Sequence, residues 1–214
     1  MKHPIRRVFA ILLSVLAGYV LGSIPFGLLV ARMKGVDIRK HGSGNIGATN
    51  VWRVCGWRFG LPVFVLDVVK GVASVLVARW IAGLLAVDPA WPAVGAATAC
   101  VLGHSFPIWL GFKGGKGVAT SLGALAGLMP LVSLAVLLLW AIVFKASGYV
   151  SLASVVAAAA LPLFAGGAEF VGRGYGWPCV GFAAVAALLV IVRHRANIQR
   201  LRAGTESRFG KKKP

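Results

Sequence analysis

From Val8 to Ala31 the chain runs 24 residues without a charged side chain. At about 1.5 Å of rise per residue, that is enough helix to cross roughly 30 Å of hydrocarbon. Inside lipid the backbone has no water to bond, so such a run must be helical. Five further apolar stretches follow: Leu61–Val87, interrupted by Asp67, Lys70 and Arg79, then Trp91–Phe112, Val118–Phe144, Tyr149–Ala165 and Tyr175–Val192. Hydrophobic residues make up 58% of the 214 and charged residues 13%. A soluble domain of this size cannot hide that much apolar surface. Soluble enzymes, disordered tails and coiled coils are excluded, and the class is an all-α integral membrane protein. Lys2, Arg6 and Arg7 precede the first run as they would in a signal peptide. The run is too long for one and ends on a basic flank, so it reads as a retained span.

Charge sets the topology. Lys and Arg total 23 against 5 Asp and Glu, a formal +18. The charges lie between apolar runs, which points to membrane orientation and anionic ligands rather than nucleic acid. The segment 32–58 holds six Lys/Arg and the segment 193–214 holds eight, whereas 88–92 holds none and 166–176 only Arg173. The positive-inside rule puts both basic segments in the cytoplasm. Six spans would place them on opposite sides. The conflict disappears if Val118–Phe144 is two short helices broken near Gly127-Leu128-Met129-Pro130, each about 20 Å long. The expected fold is therefore seven transmembrane helices in a single membrane domain, 1–214. The N-terminus is periplasmic and the C-terminus cytoplasmic, in a multi-pass inner-membrane protein. The spans fall near 8–31, 61–87, 91–112, 117–128, 130–144, 149–165 and 175–192, and 203–214 reads as a flexible basic tail.

This topology brings three polar islands to the cytoplasmic face. The first is Gly42-Ser43-Gly44-Asn45-Ile46-Gly47-Ala48-Thr49-Asn50 followed by Arg53. Its glycines let backbone N–H groups turn toward an anion. Ser43 and Thr49 add hydroxyls, Asn45 and Asn50 amides, and Arg53 a bidentate fork for phosphate. Taken alone, the same composition also fits an ordinary turn. The second island, Lys113-Gly114-Gly115-Lys116-Gly117, alternates lysine and glycine just before a helix. Those are the parts of a phosphate cradle: a backbone nest, a helix N-terminus and point charges. A basic turn fits equally well. The third, Arg193-His194-Arg195-Ala196-Asn197-Ile198-Gln199-Arg200-Leu201, extends the last span with His194, Asn197 and Leu201 on one helical face, which by itself also fits a solvated basic helix end. Asp67 and Lys70, three apart, are expected to form a structural ion pair, and His104 to hold a buried hydrogen bond. Ser151 and Ser154 open the sixth span near the islands. Asp67 and Asp88 are the nearest acidic pair in sequence, so no carboxylate cluster for a metal is legible. No cofactor is expected.

With these residues in place, GSGNIGATN with Arg53, FKGGKGVAT, and HRANIQRL with Glu206 resemble the three motifs of the bacterial acyl-phosphate:glycerol-3-phosphate acyltransferase family. All three occur in order, over essentially the whole chain. The resemblance implies a polytopic enzyme that moves a fatty acyl group from a long-chain acyl phosphate to the sn-1 hydroxyl of glycerol 3-phosphate. The product is lysophosphatidic acid, and the donor comes from a separate enzyme that makes acyl phosphate. It also implies that Ser43, Arg53 and one of Lys113 and Lys116 bind phosphate, that Gly114, Gly115 and Gly117 shape the loop, and that Ser151, His194 and Asn197 line the glycerol phosphate site. Glu206 would be structural. The His-x4-Asp pair of CoA-dependent acyltransferases is absent: the positions five after His3, His41, His104 and His194 are Val8, Ile46, Trp109 and Gln199. The rival class is a transporter of phosphorylated metabolites, which would need polar ligands in both halves of the bilayer. The outer turns here are poor in them.

Overall fold

The structure, a computed structural model, describes residues 4–210. The three N-terminal residues and the last four of the tail read from sequence at 203–214 lie outside the described residues. Every regular element among those described is helical. The chain divides into two compact units, Met1–Leu128 and Met129–Pro214.

In the first unit, α1 (Pro4–Ser23) and α2 (Phe26–Arg32) form one broken span. The uninterrupted helix expected from the sequence fails at Pro25. Proline offers no N–H to the ladder, and its ring crowds the carbonyl one turn earlier. The Ile24 carbonyl instead accepts from Lys70 Nζ at 3.1 Å. A 3-10 turn (Ile38–Lys40) and the short α3 (Ala48–Cys55) lead into α4 (Trp57–Leu84). Next come α5 (Ala90–Ser105) and α6 (Val118–Leu128). Helices α1 and α5 meet at backbone distance: a Cβ on Gly18 or Gly22 would strike the main chain of Ala96 or Cys100. Gly71 and Gly123 do the same for α4 and α6. Close approach of this kind gives helices dispersion contact in lipid, where water supplies no hydrophobic drive.

The second unit holds α7 (Pro130–Ser147), α8 (Val150–Phe170), α9 (Trp177–Arg193) and α10 (Arg195–Arg202). The expected break in the 118–144 run is present, with α6 ending at Leu128 and α7 starting at Pro130. The two pieces are unequal, however. The 18 residues of α7 are long enough to cross a bilayer, whereas the 11 of α6 are not. Among the described residues five helices qualify as spans by length and composition, or six when α9 and α10 are taken together.

The last span also differs from expectation. It does not continue straight into the third island but bends by 57° between Arg193 and Arg195. Residues 203–210, read from sequence as the start of a basic tail, fold back on the α7–α8 turn. There the Phe209 N–H donates to the Gly148 carbonyl at 2.9 Å, and the Arg208 guanidinium lies 5.2 Å from the Tyr149 ring centre. Gly148 ends α7 in the left-handed region, at φ +73°.

Candidate active site

The first island is built around Asn50. Its side chain is buried at the start of α3. Oδ1 accepts the Ser43 N–H at 2.9 Å, while Nδ2 donates to the carbonyls of Asn45 at 2.8 Å and His41 at 3.0 Å. One amide thus holds three points of the loop, and this organising role differs from the direct phosphate contact read from sequence. Asn45 also works locally, accepting the Gly47 N–H at 2.8 Å in an Asx turn. Asp37 caps the preceding 3-10 turn and pairs with Arg39 at 2.7 Å. The Arg39 guanidinium holds the Asp37 carboxyl well below the usual carboxylate range. What remains is a small set of groups. Ser43 and Arg53 are exposed and Thr49 half-buried, and among the described residues no protein group pairs with their hydroxyls or guanidinium. The loop and the start of α3 therefore present the Ser43 hydroxyl and the Arg53 guanidinium to solvent, with the Thr49 hydroxyl beside them half-buried.

The second island hangs from the end of α5. The Gly114 N–H donates to the Ser105 carbonyl at 3.1 Å and the Gly115 N–H to the His104 carbonyl at 3.0 Å. Tyr19 steadies the start of the loop through its hydroxyl, which donates to the Phe106 carbonyl at 2.9 Å. Gly117 sits at φ +81° and α6 begins at the next residue. Only glycine adopts that conformation cheaply so close to a helix start. Lys113 is exposed and Lys116 half-buried. Beneath the loop, Lys70 Nζ lies 2.8 Å from Asp67 Oδ1 and 3.0 Å from His104 Nδ1.

The third island belongs to the second unit and is organised by Glu206. Its Oε1 accepts from Asn197 Nδ2 at 2.6 Å and from the Ser151 hydroxyl at 2.7 Å, and its Oε2 accepts from Arg200 Nε at 2.7 Å. Burial opposes ionisation of Glu206, but those three donors outweigh it and hold the carboxyl below its ordinary value. Ser154, which sequence left open as a partner of the islands, donates to the Val150 carbonyl and accepts from Trp140 Nε1. His194 is buried at the bend, with Nδ1 2.8 Å from the Val190 carbonyl. A carbonyl can only accept, so Nδ1 carries the hydrogen and the basic lone pair of the neutral ring is on Nε2.

The chain as a whole resembles known proteins. The glycerol-3-phosphate acyltransferase family model matches residues 12–204. The chain belongs to this family. It is an acyltransferase and an integral membrane protein. The glycerol-3-phosphate acyltransferase of Geobacter sulfurreducens is 50% identical over 198 residues, covering 92% of this chain and 97% of that one. That of Thermosynechococcus vestitus is 47% identical over 214 residues, covering 94% and 97%. Among solved structures, PlsY (YgiH) is described as an integral membrane glycerol 3-phosphate acyltransferase. Its glycerol 3-phosphate form is 45% identical to this chain, with a TM-score of 0.83 over 93% of it and 95% of PlsY. The lysophosphatidic acid form matches with a TM-score of 0.81.

Two residues of the acyltransferase, Glu206 and Asn50, hold more groups together than their local sequence signals. Glu206 was legible only as a structural member of the third motif, because nothing local shows that it gathers groups from α8 and α10. Asn50 looked like one more amide in a polar loop. Its position at the third residue of a helix, behind a Gly-Ser-Gly turn, was the available signal.

Proposed function

We propose that the protein transfers a fatty acyl group from acyl phosphate to the sn-1 hydroxyl of glycerol 3-phosphate, releasing lysophosphatidic acid and inorganic phosphate. The observation that carries this reading is the first island. Asn50 ties down the loop that carries Ser43, and α3 carries Arg53; the Ser43 hydroxyl and Arg53 guanidinium have no protein partner among the described residues. Exposed donors of that kind, a hydroxyl and a guanidinium, suit a phosphate dianion. Lys113 and Lys116, on a loop shaped by Gly114, Gly115 and Gly117, supply positive charge at a second place. Two phosphate-bearing substrates call for two such places. Ser151 and Asn197, aligned by Glu206, serve the glycerol phosphate.

The donor is a mixed anhydride and is already activated. The acceptor oxygen attacks the acyl carbonyl, the bond from that carbon to the phosphate oxygen breaks, and phosphate leaves with its electron pair. The hydroxyl proton goes to a base, either His194 Nε2 or an oxygen of the donor phosphate. The absence of a His-x4-Asp pair argues against a CoA thioester as donor. A phosphate-activated donor also ties this enzyme functionally to the one that makes acyl phosphate.

The same reading places seven helices in the inner membrane, the short α6 packed inside the bundle or set in locally thinned bilayer, with the N-terminus periplasmic and the C-terminus and active site cytoplasmic. Six basic residues in 32–58 and eight in 193–214 support it. The deciding assay mixes purified protein in detergent with radiolabelled glycerol 3-phosphate and either palmitoyl phosphate or palmitoyl-CoA. Lysophosphatidic acid should form from palmitoyl phosphate only. Product from palmitoyl-CoA alone would refute the donor assignment, and uptake of glycerol 3-phosphate into proteoliposomes without any donor would favour a transporter.

A further inference from the structure

We infer that His104 is a positioning residue for the phosphate loop 113–117, held in place by the buried Asp67–Lys70 pair. This rests on the phosphate-binding reading of that loop. The three side chains are 2%, 4% and 6% exposed for Asp67, Lys70 and His104. Burying such groups costs desolvation, and an apolar trio of similar volume often serves stability as well. What the trio supplies is geometry. Lys70 Nζ reaches Asp67 Oδ1 at 2.8 Å, the Ile24 carbonyl at 3.1 Å and His104 Nδ1 at 3.0 Å. The same Nδ1 lies 3.5 Å from Asp67 Oδ1. Lys70 and Asp67 together fix the rotation of the ring.

The opposite edge of the ring meets the loop. His104 Nε2 occupies the space that a Cβ on Gly115 would fill. Gly115 is outside the left-handed φ region, so the ring rather than the backbone excludes a side chain there. Residue 104 also accepts the Gly115 N–H through its own carbonyl, and Ser105 accepts that of Gly114. The glycine pair between Lys113 and Lys116 is thus hung from residues 104 and 105 and rests on the imidazole. A displaced ring would move the loop, and a shift of about an ångström is costly in a site that works by fixed donors.

The test uses the purified full chain. Lys113→Ala and Lys116→Ala first establish whether the loop governs the KM for glycerol 3-phosphate or for palmitoyl phosphate. His104→Asn keeps an acceptor for Lys70 but removes the far half of the ring. It should raise that same KM about tenfold with kcat changed less than about threefold, in protein that unfolds thermally like the parent. Gly115→Ala should raise the KM as well. The double variant His104→Asn/Gly115→Ala should be less impaired than Gly115→Ala alone, since the methyl group enters the space the ring has left. Rescue of this kind is not expected of a group that only stabilises the bundle. An unchanged KM in folded His104→Asn, with the lysine variants impaired, would overturn the role of His104 and leave the loop reading standing. Impairments that simply add in the double variant would overturn it too, whether or not the single His104 variant folds. Lysine variants with no effect on either KM would overturn the loop reading and this inference together.

Discussion

Ser151 donates its hydroxyl hydrogen to Glu206 Oε1 at 2.7 Å, across 55 positions of sequence. Asn197 shares the same oxygen at 2.6 Å and Arg200 Nε takes the other at 2.7 Å. The carboxylate is therefore the fixed point on which two proposed glycerol phosphate ligands depend. Glu206→Gln keeps the size but removes the charge and turns half the acceptor into a donor. It should lower kcat/KM for glycerol 3-phosphate by about 10- to 100-fold, the range for losing charge-assisted hydrogen bonds worth about 1.5–3 kcal/mol. Steady-state kinetics in detergent would check this.

The same cluster predicts a pH response. The folded carboxyl of Glu206 titrates below its ordinary value. Its stabilising contribution is thus fully present above that ordinary value and is lost as pH falls through the lower, folded one. Proteolytic cleavage within 203–210 should be slow near neutral pH and should accelerate only under distinctly acid conditions. In Glu206→Gln it should already be fast at neutral pH.

Arg53→Lys preserves charge but loses the planar fork. We expect kcat/KM to fall by about 10-fold or more, with thermal unfolding unchanged because Arg53 is exposed. Activity equal to the parent would reduce the first island to a turn.

Asn50→Asp retains the acceptor for the Ser43 N–H but loses the Nδ2 donor to the Asn45 and His41 carbonyls. It also brings a buried charge toward those carbonyl oxygens. Activity should drop at least about tenfold, with a destabilisation of about 1–3 kcal/mol. Asn50→Ser, smaller and neutral, should be the milder of the two, and the comparison of unfolding temperatures and kinetics tests the organising role.

His194→Gln separates the two candidate bases. Loss of a general base should lower turnover at saturating substrate by about 100-fold or more. Near-normal turnover would assign the proton to the donor phosphate.

The membrane class and the positions of the polar islands follow from the order of residues alone. A charge-free run from Val8 to Ala31 has no stable place except lipid, and Pro130, three residues after Gly127, marks a break in the 118–144 run. The Asp67–Lys70 pair was equally legible, because residues three apart on a helix are neighbours by geometry. Local rules stop there. They did not show that Pro25 breaks the first span, that the 118–144 run divides into unequal helices of 11 and 18 residues, or that the chain bends by 57° after Arg193. Those outcomes depend on which distant group takes over a freed carbonyl or a helix end. Tertiary structure likewise decided that Asn50 would face its own loop, that His104 would join Lys70 from 34 positions away, and that Glu206 would close on Ser151. A buried amide, imidazole or carboxylate must find partners, and only the packing of separate helices determines which partners are within reach.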